Sequence, residues 1–355
     1  MSTPRSQVLI RSAAAPHGFS QTLWRYAALT KPRLLPLVLF TGLPAMAMTT
    51  GAWPPAPLVF AILLGTAMAA AAANVLNCYV ERDRDALMTR TQSRPLPTAQ
   101  LAPRDALGFG VLLTVASTLL LWQTTNLTAT AVGLGGILFY VFVYTIWLKP
   151  RTPQSIVIGG AAGAVAPLIA DAAVNGRIGW PGWLLFLIIF FWTPPHFWAI
   201  ALYRKGEYKK AGFPMLPLVI GDERTRWRIL GYTLFLIPVT LAPVAFGLLG
   251  HFYLVLSLVL GAWFAHHAFR VLRLRTDAAA QRMFRVSLLY LFTLFLGMIA
   301  DLALRSWRPG PPDESKRPGK GRALHLTWIR ALHVAPCTWM RSKEGESLIT
   351  PPTRS

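Results

Sequence analysis

The sequence predicts an all-α membrane protein with many transmembrane helices, and three observations carry that expectation. Hydrophobic residues fill 54% of the 355 positions and charged residues only 14%, against about 25% charged in a typical soluble domain. Apolar runs near the ~20 residues needed to cross a bilayer recur roughly nine times. Cations gather in every second connector between the runs, as they do in loops kept on one side of a membrane.

The runs are centred near residues 34–53, 57–79, 105–123, 128–148, 155–173, 180–203, 229–249, 252–270 and 284–304. Arg82, Arg84, Arg90, Arg94 and Arg104 follow the second run, and Lys149 and Arg151 the fourth. Arg204, Lys205, Lys209, Lys210, Arg224, Arg226 and Arg228 follow the sixth, and Arg270, Arg273, Arg275, Arg282 and Arg285 the eighth. The opposite connectors are short and nearly uncharged, apart from Arg177. This alternation predicts a cytoplasmic N-terminus and cytoplasmic basic connectors. It also accounts for the net charge of +21 without nucleic acid as a partner.

Residues 1–33 form a basic lead without an acid, read as the cytoplasmic start of a bacterial plasma (inner) membrane protein. A mitochondrial targeting segment, and so the mitochondrial inner membrane, is the alternative. Residues 34–304 form the transmembrane domain. Residues 305–355, rich in Pro, Gly, Lys, Arg and Ser, read as a disordered basic tail without assigned function. Two cysteines, Cys78 and Cys337, imply no disulfide framework. The adjacent pair His266-His267 diverges by about 100° on a helix and makes a poor joint metal site.

Asn77, Glu81 and Asp85 recur at four-residue spacing at the end of the second run. On a helix they form one polar stripe. A carboxylate is costly near hydrocarbon, so a metal or a cationic partner is expected there. Oxygens from Asn77, Glu81, Asp83 and Asp85 beside Arg82, Arg90 and Arg94 suit a magnesium–diphosphate complex. A solvated helix end paired to its own arginines is the competing reading. The sixth run ends similarly: His196, Tyr203 and Glu207 share a face if the helix continues that far. Pro194-Pro195 predicts a kink lining a cavity.

The stripe, its continuation Met88-Thr89-Arg90-Thr91-Gln92-Ser93-Arg94-Pro95-Leu96-Pro97, and the lead-in Leu29-Thr30-Lys31-Pro32-Arg33 resemble the UbiA superfamily of intramembrane prenyltransferases. Trp192-Thr193-Pro194-Pro195-His196-Phe197-Trp198-Ala199, Ala211-Gly212-Phe213-Pro214-Met215-Leu216-Pro217 and Tyr144-Thr145 with Leu148-Lys149 are similar to its haem-directed subgroup rather than its quinone-directed members. The resemblance spans residues 20–304.

It implies a UbiA-like helix bundle around a central cavity open to the cytoplasmic side. It implies Mg²⁺, farnesyl diphosphate as donor, and haem B as acceptor, giving haem O for haem–copper oxidases. Haem A synthase or oxidase assembly factors are the implied partners. Carried over, Asn77, Glu81 and Asp85 are the first metal motif, and Glu207 is part of the second. Lys31, Arg90, Arg94, Tyr144, Lys149, Arg204, Lys205 and Tyr208 face the diphosphate, and His196 the porphyrin. His266-His267 and Arg270 read as topology anchors, with a haem propionate contact as the alternative. Asp171 and Asp301, the acids inside runs, read as structural.

The chain departs from the pattern in places. Glu81 stands where aspartate is usual and Cys78 where Asn or Asp is common. Gln154-Ser155 and Ala166-Pro167 stand for the frequent Gln-Asn and Pro-Pro, and the second connector keeps one matching acid, Glu207. A quinone-precursor prenyltransferase of the same fold and a secondary transporter are the rival functions. Ionisable groups at one mouth rather than the midplane argue against transport.

Overall fold

The computed structural model describes residues 18–306, and no strand occurs among them. The tail expected after residue 304 therefore lies almost wholly outside the described residues, as does the first half of the basic lead. An amphipathic helix, α1 (Phe19–Leu29), precedes the bundle. Lys31 then turns the chain in the left-handed region, φ +56°.

Eight segments are long and apolar enough to cross a membrane. They are α3 (Ala56–Asp85), α4 (Pro103–Thr124), Leu127–Leu148, Ser155–Asn175, α8 (Trp180–Tyr203), α11 (Asp222–Ala245), α12 (His251–Leu274) and α13 (Asp277–Ser306). The first expected run differs. It forms α2 (Leu35–Thr50), only 16 residues long, or ~24 Å against the ~30 Å hydrocarbon core. Gly51, at φ +71°, caps it. Its buried Thr41, Gly42 and Pro44–Met48 pack along α7 (Val165–Asn175), inside the bundle.

Two expected spans are irregular within. Leu127–Leu148 begins as α5 (Leu127–Leu138) and continues as a π-wound segment, Phe139–Leu148. Ser155–Asn175 divides into α6 (Ser155–Gly163) and α7 at Ala164. Pro167 has no N–H for Gly163, which favours the division. By contrast, α8 runs on through Pro194 and Pro195 without interruption.

Outer faces are apolar, as a lipid solvent requires. On α4, Val111, Val115, Leu119 and Trp122 are exposed along one side. The inner packing centres on α8 and α6–α7, the most buried spans. Away from the basic connectors, two buried carboxylates tie helix starts down. Asp171 accepts from the Gly179 and Gly182 amides at the start of α8, and from Thr49 Oγ1 and Asn175 Nδ2. Asp301 accepts from the Gly250 and Tyr253 amides at the start of α12. Both use neutral donors at a helix N-terminus, where an anion is favoured.

Candidate active site

The platform is α3. Its 30 residues span ~45 Å, longer than the hydrocarbon core, so its last turns stand beyond the apolar zone. Asn77, Glu81 and Asp85 are all buried on the inward face. Each meets a cation from another part of the chain. Lys31 Nζ donates to Asn77 Oδ1 at 2.8 Å, Lys149 Nζ to Glu81 Oε1 at 2.5 Å, and Arg94 Nη1 to Asp85 Oδ2 at 2.6 Å. Asp85 Oδ1 is buried with no hydrogen-bond partner among the described residues. A bare buried carboxylate oxygen is costly, and it is the donor a hard divalent cation would take up.

The cations themselves are tuned. Desolvation pulls Lys31 below the usual lysine range, reinforced by Arg94 and Lys149 against Glu81. At Lys149 burial opposes the charge, but the Glu81 carboxylate outweighs it and the pKa rises. Arg94 behaves likewise, with Asp85 and Glu81 among the groups that offset its burial.

The π-wound segment serves this cluster. Its wider turn lets Thr145 Oγ1 donate to Tyr140 O, five residues back, while accepting from Asn77 Nδ2. The Lys149 amide likewise bonds to Tyr144 O. Such windings are frequent at functional sites. Tyr144 lies against Gly159, where an added Cβ would fall 2.1 Å from the ring. Phe213 stands under Lys149 at 4.7 Å and under Arg84 at 4.9 Å. Tyr208 is buried beside the same lysine. Arg90 is exposed, makes no ion pair among the described residues, and is felt electrostatically at Tyr144.

Other expected members stand apart. Asp83, an expected ligand, has a side chain that is 85% exposed and faces Arg82, whose guanidinium rests on Tyr79. Two residues from either neighbour, it projects off the inward face. Lys205 turns to Asp222, at 2.8 Å, across the short helix α10 (Leu216–Ile220). Glu207, on α9 (Lys205–Lys210), pairs with Arg204 at 2.6 Å and lines a cavity of ≈460 Å³ with Tyr203, Gln281, Phe284 and Arg285. No three His, Cys, Asp or Glu side chains among the described residues are grouped to hold one ion. The five-residue ligand set is therefore not gathered, and the protein oxygens at the cluster are those of Asn77, Glu81 and Asp85.

His196 heads a second cluster. It is buried between Trp192, stacked at 4.4 Å, and Phe284 at 4.8 Å. Its Nδ1 lies 2.6 Å from Ser287 Oγ. Ser287 Oγ also lies 2.6 Å from Phe284 O, which can only accept. The serine has one hydrogen, so both contacts are satisfied when His196 carries its proton on Nδ1 and Ser287 donates to Phe284. Nε2 then presents its lone pair. Trp192 Nε1 donates to Ser287 O and ties α8 to α13. Thr145, Gly159, Phe213 and Ser287 escape identification as site residues from spacing. Thr145 and Phe213 do fall within the quoted motifs.

A membrane bundle with lysines and an arginine resting on carboxylate and amide oxygens at one mouth defines an intramembrane enzyme for an anionic donor. The chain belongs to the UbiA prenyltransferase family, which residues 38–296 match, and it is a transferase. It is 47% identical over 285 residues to the protoheme IX farnesyltransferase of Acidiphilium cryptum, covering 78% of this chain and 90% of the relative. Against that of Symbiobacterium thermophilum it is 46% identical over 284 residues, covering 79% and 95%. In fold it is similar to a digeranylgeranylglyceryl phosphate synthase, TM-score 0.68 at 18% identity, covering 79% of this chain and 99% of that one. A UbiA homolog from Archaeoglobus fulgidus bound to DMAPP and Mg²⁺ gives 0.56 at 18% identity, covering 78% and 99%.

Proposed function

We propose that this chain transfers a farnesyl group from farnesyl diphosphate to a vinyl carbon of protohaem IX (haem B), giving haem O. The observation that carries the reading is the α3 face, where Asn77, Glu81 and Asp85 each hold a cation while Asp85 Oδ1 lies buried without a partner among the described residues. The acceptor is supported by the names of the relatives just given. We assign the reaction to residues 34–304.

Lys31, Arg90, Arg94 and Lys149 hold the diphosphate, with Tyr144 and Tyr208 at its edge. Asp85, Glu81 and Asn77 are the oxygens for Mg²⁺. When bound, Mg²⁺ supplies charge neutralisation for the departing diphosphate. The cationic side chains add to that stabilisation, and cleavage at farnesyl C1 leaves an allylic cation. The vinyl group attacks C1 with its π electrons. Water captures the resulting cation beside the porphyrin and releases a proton, leaving a hydroxyethylfarnesyl substituent. Trp192 and Phe284, packed on His196, make this interior apolar and aromatic, which protects the allylic cation from early hydrolysis. His196 Nε2 is the group offered to the haem iron.

We further propose that the chain resides in a bacterial plasma membrane, with its N-terminus and the α3 mouth facing the cytoplasm. Haem A synthase or haem–copper oxidase assembly would then consume the product. Asp85→Asn and Glu81→Gln are expected to abolish Mg²⁺-dependent release of pyrophosphate from labelled farnesyl diphosphate while leaving membrane insertion intact. Near-normal turnover by both would overturn the metal assignment. Prenylation of an aromatic quinone precursor in place of haem B, by the unmodified protein, would overturn the acceptor.

A further inference from the structure

At the junction of α12 and α13 a cavity of ≈200 Å³ is lined by His267, Arg270, Gln281, Arg282 and Arg285. Three arginines line it, and none makes an ion pair or hydrogen bond among the described residues. Several other guanidinium groups do have carboxylates: Arg94 on Asp85, Arg204 on Glu207, Arg226 on Asp222 and Arg275 on Glu223. Like charges lining one cavity favour an anion between them. The carboxylate nearest in the adjoining cavity, Glu207, is already committed to Arg204.

We propose that this cavity is the carboxylate-anchoring subsite of the acceptor, with the two propionates of protohaem held by Arg270, Arg282 and Arg285. The inference rests on the haem-directed reading above. Gln281 and Arg285 also line the larger cavity, whose wall includes Phe284. Phe284 packs on His196. One stretch of α13 thus runs from the cationic Arg282, through Phe284, to Ser287 behind His196. Protohaem is built along the same polarity, with its propionates and its vinyl groups on opposite edges. Anchoring the charged edge at the arginines turns the vinyl edge inward and sets the iron toward the face that His196 occupies. A phospholipid phosphate shares the anionic-oxygen chemistry, and the test separates it.

The full-length protein in phosphatidylcholine nanodiscs is titrated with protohaem and with its dimethyl ester, which lacks the charges, and read by the Soret band. The diacid is expected to bind about tenfold more tightly than the ester, the scale of two exposed charge pairs. The double variant Arg282→Gln/Arg285→Gln is expected to reduce the diacid to the ester's affinity and leave the ester unchanged. The double lysine variant is expected to keep most of the preference. Equal affinity of diacid and ester for the unmodified protein, or a preference that survives the glutamines, overturns the proposal. So does loss of diacid binding in phosphatidylglycerol nanodiscs, which would give the cavity to lipid phosphate. Product chromatography with farnesyl diphosphate keeps the two levels apart. Farnesylation of ester and diacid with equal efficiency sinks the anchoring alone, whereas no farnesylated haem from either sinks the proposed reaction.

Discussion

Lys31 adopts a left-handed backbone, φ +56°, to bring its ammonium to Asn77. For a residue with a Cβ that conformation costs of order 1 kcal/mol, and such strain gathers at working sites. The Asn77–Glu81–Asp85 stripe is legible in the sequence because helical spacing alone aligns it. Asp83 is harder to exclude, because only the direction of the stripe's inward face separates it from its neighbours. Ser287 is not legible at all: it lies 91 residues from His196, and only the packing of α8 on α13 joins them. Its role gives a residue-scale prediction. Removing the hydroxyl with Ser287→Ala takes away the acceptor of His196 Nδ1–H, a hydrogen bond worth about 1 kcal/mol net. Nitrogen-15 NMR of the labelled ring is expected to report the Nδ1–H tautomer in the unmodified protein and a mixture in the variant. An Nε2–H tautomer in the unmodified protein would remove Ser287 as a positioning residue.

At the scale of elements, two spans begin on carboxylates supplied by their neighbours. Asp171 holds the first amides of α8 from α7, and Asp301 holds those of α12 from α13. Apolar periodicity locates these helices but says nothing of their ends, and the acids read only as structural. Each carboxylate satisfies two backbone donors that no intrahelical carbonyl can reach. Asp301→Ala leaves both orphaned in a dry environment and is expected to cost about 2–3 kcal/mol. Asp83→Ala, at an exposed position, is expected to stay within about 0.5 kcal/mol. Denaturation midpoints in detergent, with turnover normalised to folded protein, check the pair. Equal midpoints would show that the Asp301 contacts contribute little.

Over the whole molecule, eight of the nine expected spans recur as membrane-length helical segments. Hydropathy reports them faithfully because every backbone group in lipid must be paired within its own helix. The shorter α2, 16 residues long, still carries the chain from the Lys31–Asn77 end of the bundle to the Thr49–Asp171 end, and Gly51 and the prolines after it set its length. The π winding at Phe139–Leu148 is invisible to hydropathy: composition does not distinguish i→i+4 from i→i+5 bonding.

The charge asymmetry sets the expected orientation of the bundle. Arg82–Arg104, Lys149–Arg151, Arg204–Arg228 and Arg270–Arg285 all fall in alternate connectors, and Arg177 is the lone cation in the opposite ones. Positive connectors resist translocation, so this end of the bundle should face the cytoplasm, where a water-soluble diphosphate headgroup reaches the α3 mouth. Single cysteines introduced at the exposed positions Lys210 and Arg177, with Cys337 replaced and the buried Cys78 retained, report the two ends. A membrane-impermeant thiol reagent is expected to label Lys210→Cys only in inverted vesicles and Arg177→Cys only in right-side-out ones. The reverse pattern would put the cation-rich mouth outside, and the donor would have to arrive from that face.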